Sequence, residues 1–152
     1  MDREEFRRHG HELVDWVADY LGGRVREYPV RSQVKPGEVR AQLPAAPPLQ
    51  AEPFAGVLAD FQRVLLPGIT HWQHPRFFGY FPANNSPPSV LAELLTAGLG
   101  AQCMSWQTSP AATELEQRMM SWLAQLIGLP DGFHGVIPAT ASTPTFCALV
   151  CA

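Results

Sequence analysis

The sequence predicts an α-rich N-terminal segment that leads into the first strand and loop of an α/β domain, and three observations carry that reading. Apolar residues recur at helical spacing in four stretches between residues 2 and 128. A proline-rich stretch with no period separates the first two of them. The chain then changes character at GVIPATASTPTFCALV, which reads as a buried strand, a loop of small residues and the start of a helix.

Asp2 followed by Glu5 predicts a helix N-cap with an acid at N3, and Phe6, Leu13, Val14, Val17 and Leu21 continue at helical spacing until Gly22-Gly23. Residues 24–53 then hold six prolines, including Pro47-Pro48, and show neither period 2 nor period 3.6. An irregular segment of that length is uncommon inside a compact domain and suggests an extended arm that wraps over another surface, such as a second subunit. Phe54, Val57, Leu58, Phe61, Val64 and Leu65 mark a second amphipathic helix, stopped by Pro67-Gly68.

A third helix is capped by Ser86 or Ser89, and its Val90, Leu91, Leu94, Leu95 and Leu99 are apolar on more than one side, which predicts deep burial. Ser109-Pro110 is a good N-cap and N1 pair for the fourth helix, where Leu115, Met119, Trp122, Leu123 and Leu126 form one stripe up to Gly128. The last segment predicts a strand over Gly135 to Ile137, a loop over Pro138 to Ser142, and a helix with Pro144 in its first turn. A lone strand makes no parallel sheet, so the chain reads as the front portion of a larger α/β protein.

Composition narrows the function classes. With 152 residues, 46% of them apolar and 16% charged, the chain can bury a real core. A net charge of −3 and no Lys/Arg cluster argue against nucleic acid as a partner. Cys103, Cys147 and Cys151 lack paired spacing and the N-terminus MDREEFRR is charged, so a soluble protein of the reduced cytoplasm is expected. No apolar run approaches the roughly 20 residues that span a bilayer. There is a single lysine, Lys35, so chemistry that needs an amine nucleophile has only that side chain and the N-terminus.

Several motifs carry two readings. Strand, small-residue loop and helix N-terminus form an anion site by construction, with the amides of Ala141 and Ser142 and the hydroxyls of Thr140 and Ser142 as donors. The pattern alone favours an ordinary turn with Ser142 as the N-cap. His71 and His74 are three apart, and His9 and His11 two apart; neither pair has nearby Cys or acid ligands of the right spacing, so packing is expected and no metal site. Glu114 and Glu116 are expected only to complement a helix dipole. The segment THWQHPRFFGYFPANNS holds Trp72, Phe77, Phe78, Tyr80 and Phe81 among Pro75, Gly79 and Pro82. These rings can be core aromatics packed under a loop, but on a backbone that Pro75, Gly79 and Pro82 make irregular they better suit the wall of an apolar pocket for a flat ligand.

In their order along the chain, EFRRHGHELVDWVADYL, VKPGEVRAQLPAAPP, LLPGITHWQHPRFFGYFPANNS, SWQTSPAATELEQRMMSWLAQLIGLP and GVIPATAS resemble the N-terminal portion of the group II pyridoxal 5′-phosphate-dependent amino-acid decarboxylases. The resemblance is closest to the aromatic-L-amino-acid (dopa/tryptophan) decarboxylases. It implies an aminotransferase-like, fold type I large domain, cut here after its first strand and phosphate loop. Residues 1–85 would be a helical and arm segment for dimerisation, and residues 86–152 the start of the cofactor domain. The implied reaction is loss of the α-carboxylate of an aromatic L-amino acid as CO₂, in a homodimer, with pyridoxal 5′-phosphate as cofactor.

Carried over by position, the resemblance implies that Thr140, Ala141 and Ser142 hold the cofactor phosphate. It places Trp72, Tyr80, Phe81, Pro82, Ala83 and Met104 in the substrate pocket. Ala83 stands where relatives carry a substrate-contacting threonine, and Met104 where dopa decarboxylases usually have an aromatic residue. Pro138 and Pro144 flank the phosphate loop where relatives usually have other residues, and Pro138 removes an N–H there. The family's Schiff-base lysine, its ring-stacking histidine and its aspartate for the pyridinium nitrogen match no position here; Lys35 matches a non-catalytic one. No catalytic residue is therefore expected in this chain, and by itself it is expected to be inactive. The competing expectations are a non-catalytic truncated paralogue that pairs with full-length subunits, and an incomplete sequence.

Overall fold

The computed structural model describes residues 1–81, 85–138, 140 and 142–152. They divide into two compact units, Met1–Val90 and Leu91–Ala152. All regular structure among the described residues is helical.

In the first unit, α1 (Arg3–Gly22) opens with the expected capping box: the Asp2 carboxylate accepts the Glu5 N–H at 2.8 Å and the Glu5 carboxylate accepts the Asp2 N–H at 2.9 Å. Its stop is Gly23 at φ 151°, a conformation that costs glycine little because it has no Cβ. A 3₁₀ turn (Arg24–Glu27) follows and buries Val25. After the short α2 (Glu38–Gln42), α3 (Phe54–Asp60) runs on into a π turn (Phe61–Leu65) and a 3₁₀ turn (Leu66–Gly68), which bury Val64 and Leu66.

α1 packs through His9, Trp16 and Tyr20, which lie on one helical face. The His9 ring meets Phe54 at 4.9 Å, Trp16 meets Phe61 edge-on at 5.5 Å, and the Tyr20 hydroxyl meets His71. Of the apolar positions at helical spacing, Phe6 (67%) and Val14 are exposed, while Leu13, Val17 and Leu21 are half-buried, as Trp16 and Tyr20 are. Periodicity marked part of the covered face, and the contacts of His9, Trp16 and Tyr20 with Phe54, Phe61 and His71 complete it.

The proline-rich arm is less irregular than expected. It contains α2, and its first half lies along residues of its own chain: Ser32 Oγ donates to the Pro67 carbonyl at 3.1 Å, and the His71 N–H donates to the Val30 carbonyl at 3.0 Å. α2 approaches so closely that a Cβ built on Gly68 would sit 2.9 Å from Val39 Cγ2.

α4 (Pro87–Leu99) starts where Ser86 and Ser89 each accept the other's N–H, at 3.3 and 3.0 Å. In the second unit, α5 (Pro110–Leu126) follows Ser109 with proline in its first turn, and α6 (Ser142–Cys151) ends the described chain apart from Ala152. Three expectations are corrected here. Leu91, Leu94, Leu95 and Leu99 of α4 are exposed, not deeply buried, because no described residue covers that face. Residues 135–137 form no strand: an extended segment becomes a strand only through ladder hydrogen bonds to a neighbour, and the Ile137 N–H goes to the Glu116 carboxylate at 2.7 Å. Ser142 is the first residue of α6 and not its cap.

Candidate functional site

In the first unit the aromatic loop is anchored by its histidines. His71 is 2% exposed, its Nδ1 lies 2.7 Å from the Tyr20 hydroxyl, and its ring stacks on Tyr28 with centroids 4.7 Å apart. His74 is also buried; its Nδ1 accepts the Arg76 N–H at 3.0 Å and its own N–H donates to the His71 carbonyl at 2.9 Å. Burial, and next the charge of His74, hold the His71 pKa below the usual imidazole value, while burial first and then Tyr28 raise that of Tyr20. The pair is therefore neutral at pH 7. Among the described residues no group of three or more His, Cys, Asp or Glu side chains is placed to hold a metal.

Next to these anchors Trp72 is 44% exposed, with Phe77 tilted against it at 4.8 Å and Tyr80 stacked on it at 5.7 Å. Tyr80 has φ 55°, left-handed backbone that costs a non-glycine residue about 1–3 kcal/mol. Phe78, Tyr80 and Phe81 are almost wholly exposed. The loop thus brings the Trp72 and Tyr80 rings together and leaves Phe81 projecting. Of the other expected pocket residues, Pro82 and Ala83 lie outside the described residues, and Met104 is exposed in the second unit.

The phosphate-loop candidates lie in the second unit. Thr140 and Ser142 are exposed at the start of α6; Ala141 lies outside the described residues. The Thr140 carbonyl accepts the Thr143 N–H at 3.3 Å, and the two threonine hydroxyls are 3.4 Å apart. Hydroxyls and a helix N-terminus form a donor set suited to an anion, and residues 132–152 contain no Asp or Glu to repel one. These residues fit the phosphate end of pyridoxal phosphate. Lys35 belongs to the first unit, in the turn before α2, where its N–H donates to the Glu38 carboxylate at 2.8 Å.

Glu114 and Glu116 lie beyond the first turn of α5 and each has a specific partner, so the helix-dipole expectation is corrected. Glu114 accepts the Trp106 Nε1–H at 3.1 Å and Glu116 accepts the Ile137 N–H. The sequence reading also missed Tyr20 and Tyr28, and no local signal identifies them: Tyr20 and His71 are 51 residues apart.

Residues 36–152 match the family model described as the pyridoxal-dependent decarboxylase conserved domain. The chain belongs to the pyridoxal-dependent decarboxylase family. A phenylacetaldehyde synthase of Petunia hybrida is 46% identical over the whole chain, which covers 31% of that relative, and an aromatic-L-amino-acid decarboxylase of Rattus norvegicus is 42% identical, again over the whole chain and 33% of the relative. The structure of Catharanthus roseus tryptophan decarboxylase in complex with L-tryptophan superimposes with a TM-score of 0.90 at 40% identity, covering all of this chain and 34% of that one. This decarboxylase-family chain therefore spans about a third of the length of the relatives it matches. The family's cofactor is pyridoxal phosphate.

Proposed function

We propose that this chain is the front portion of a pyridoxal-phosphate-dependent carboxy-lyase that converts an aromatic L-amino acid to its amine and CO₂. The observation that carries the reading is the likeness along its whole length to a tryptophan decarboxylase bound to L-tryptophan. Thr140, Ala141 and Ser142 would hold the cofactor phosphate through hydroxyls and helix N–H groups. Trp72, Tyr80, Phe81, Pro82, Ala83 and Met104 would line the substrate's ring, with Ala83 offering no hydroxyl. Bound pyridoxal phosphate supplies an electron-accepting ring for the electron pair left behind when CO₂ departs.

In this reading residues 1–85 serve dimerisation, residues 86–152 open the cofactor domain, and the setting is cytoplasmic. The free, exposed Cys103, Cys147 and Cys151 support that setting, and no described helix is long and apolar enough to cross a membrane. The exposed faces of α4 and α5 support a large covering surface from further chain or a second subunit.

The 152 residues include one lysine, Lys35, in the turn before α2, so the chain alone is expected to release no CO₂. The test supplies the purified full-length protein, and separately residues 1–152, with pyridoxal phosphate and L-tryptophan, L-tyrosine or L-dopa, and measures CO₂ and amine. Amine and CO₂ from the full-length protein alone support the reading. Aldehyde as the main product, or CO₂ from residues 1–152, overturns the corresponding part. The exposed Phe6 and Val14 on α1 favour a second reading, a non-catalytic chain that pairs with full-length subunits. Stable mixed dimers without activity in that assay would establish it.

A further inference from the structure

We propose that Glu116 is a positioning residue for the phosphate-holding loop, its carboxylate fixing the backbone that feeds residues 138–142. The inference rests on the reading of Thr140, Ala141 and Ser142 as the phosphate grip.

Two contacts dock the segment before the loop onto α5. Glu116 Oε1 accepts the Ile137 N–H at 2.7 Å, across 21 residues of sequence. Two residues earlier the backbone comes close to the same helix: a Cβ built on Gly135 would lie 3.1 Å from Cβ, Cγ and Sδ of Met120. Glu116 and Met120 are four apart and share one face of α5. Gly135 and Ile137 are two apart, so one short segment meets both. The segment is thereby held against α5 by one hydrogen bond and one close approach.

The same geometry reaches the loop. Only Pro138 and Ala139 separate Ile137 from Thr140, and the Pro138 ring fixes its own φ. Thr140 is therefore tethered within about 10 Å of the Glu116 anchor by a partly stiffened link. Pro138 has no N–H to contribute, which leaves the Ile137 N–H as the last backbone donor before Ala139. A carboxylate acceptor makes that bond stronger than a neutral partner would.

The test uses the full-length protein freed of cofactor and compares affinity for pyridoxal 5′-phosphate with affinity for pyridoxal, which lacks the phosphate. Glu116→Ala is expected to cut the preference for the phosphorylated form by about tenfold, as loss of a charge-assisted hydrogen bond implies. Glu116→Gln keeps an acceptor oxygen and is expected to keep most of the preference. A general loss of stability would weaken both ligands alike and leave the ratio unchanged. Equal losses for the two ligands, no change, or a Gln variant as poor as Ala would overturn the inference. Should Glu116→Ala not fold, Glu116→Leu, close to it in size but without an acceptor oxygen, takes its place and must lower the ratio as well. Ser142→Ala separates the underlying reading: if it leaves the ratio intact, the phosphate grip itself is wrong. If it lowers the ratio while Glu116→Ala does not, only the role of Glu116 fails.

Discussion

Replacing Tyr20 by phenylalanine isolates one hydrogen bond that ties α1 to the aromatic loop. The ring and its stack on Trp16 at 5.3 Å are kept, while the hydroxyl 2.7 Å from His71 Nδ1 is lost. His71 is 2% exposed, so water has little access to replace the partner. Leaving a buried polar nitrogen without its partner costs about 1–3 kcal/mol. With a urea m-value of about 2 kcal/mol/M for a protein of this size, the midpoint should fall by roughly 0.5–1.5 M. The assay is urea unfolding followed by tryptophan fluorescence in a Trp106→Phe/Trp122→Phe background, so that the signal comes from Trp16 and Trp72 of the first unit. A double-mutant cycle with His71→Phe sharpens it. With both polar partners gone, the double variant should be destabilised by about 1 kcal/mol less than the sum of the single variants. Strict additivity, or a Tyr20→Phe variant within about 0.3 kcal/mol of the parent, would refute the reasoning.

Other expectations follow from the same contacts. The His71 pKa lies below the ordinary 6.5 in the folded state, so the unfolded chain takes up the proton first. Its contribution to stability is complete above pH 6.5 and is lost as the pH falls below that value, levelling off beneath the folded pKa. Unfolding midpoints at pH 7.5 and 5.5 should therefore differ less in His71→Phe than in the parent. Gly68→Ala sets a Cβ 2.9 Å from Val39 Cγ2 and should destabilise by about 1–3 kcal/mol in thermal unfolding, with Val39→Ala recovering part of the loss. Trp72→Ala removes the ring that both Phe77 and Tyr80 contact; under the proposed function it should raise the full-length protein's KM for an aromatic amino acid more than it lowers kcat.

The parts of the fold legible in the sequence are those written within a few residues. The Asp2–Glu5 capping box, the Gly22-Gly23 stop, the Ser86–Ser89 start and the Ser109-Pro110 entry to α5 are local chemistry, and each is where the sequence predicts it. The aromatic loop was equally legible as an irregular, ring-rich segment, and Trp72 and Tyr80 do meet. The strand over residues 135–137 was not, since a strand is a property of two segments and composition describes only one.

By itself, then, the amino-acid sequence determined where helices start and stop, which residues carry rings and hydroxyls, and, through its ordered motifs, the decarboxylase family. Only the tertiary structure decided which residues of α1 are covered, that the arm lies along residues 67–71, that Tyr20 holds His71, and that Glu116 takes the Ile137 N–H. The physical reason is the range of the interactions. Caps and helical periods act across three or four residues. The contacts that place the loops join residues 21 to 51 positions apart, and their partners are chosen by packing in three dimensions.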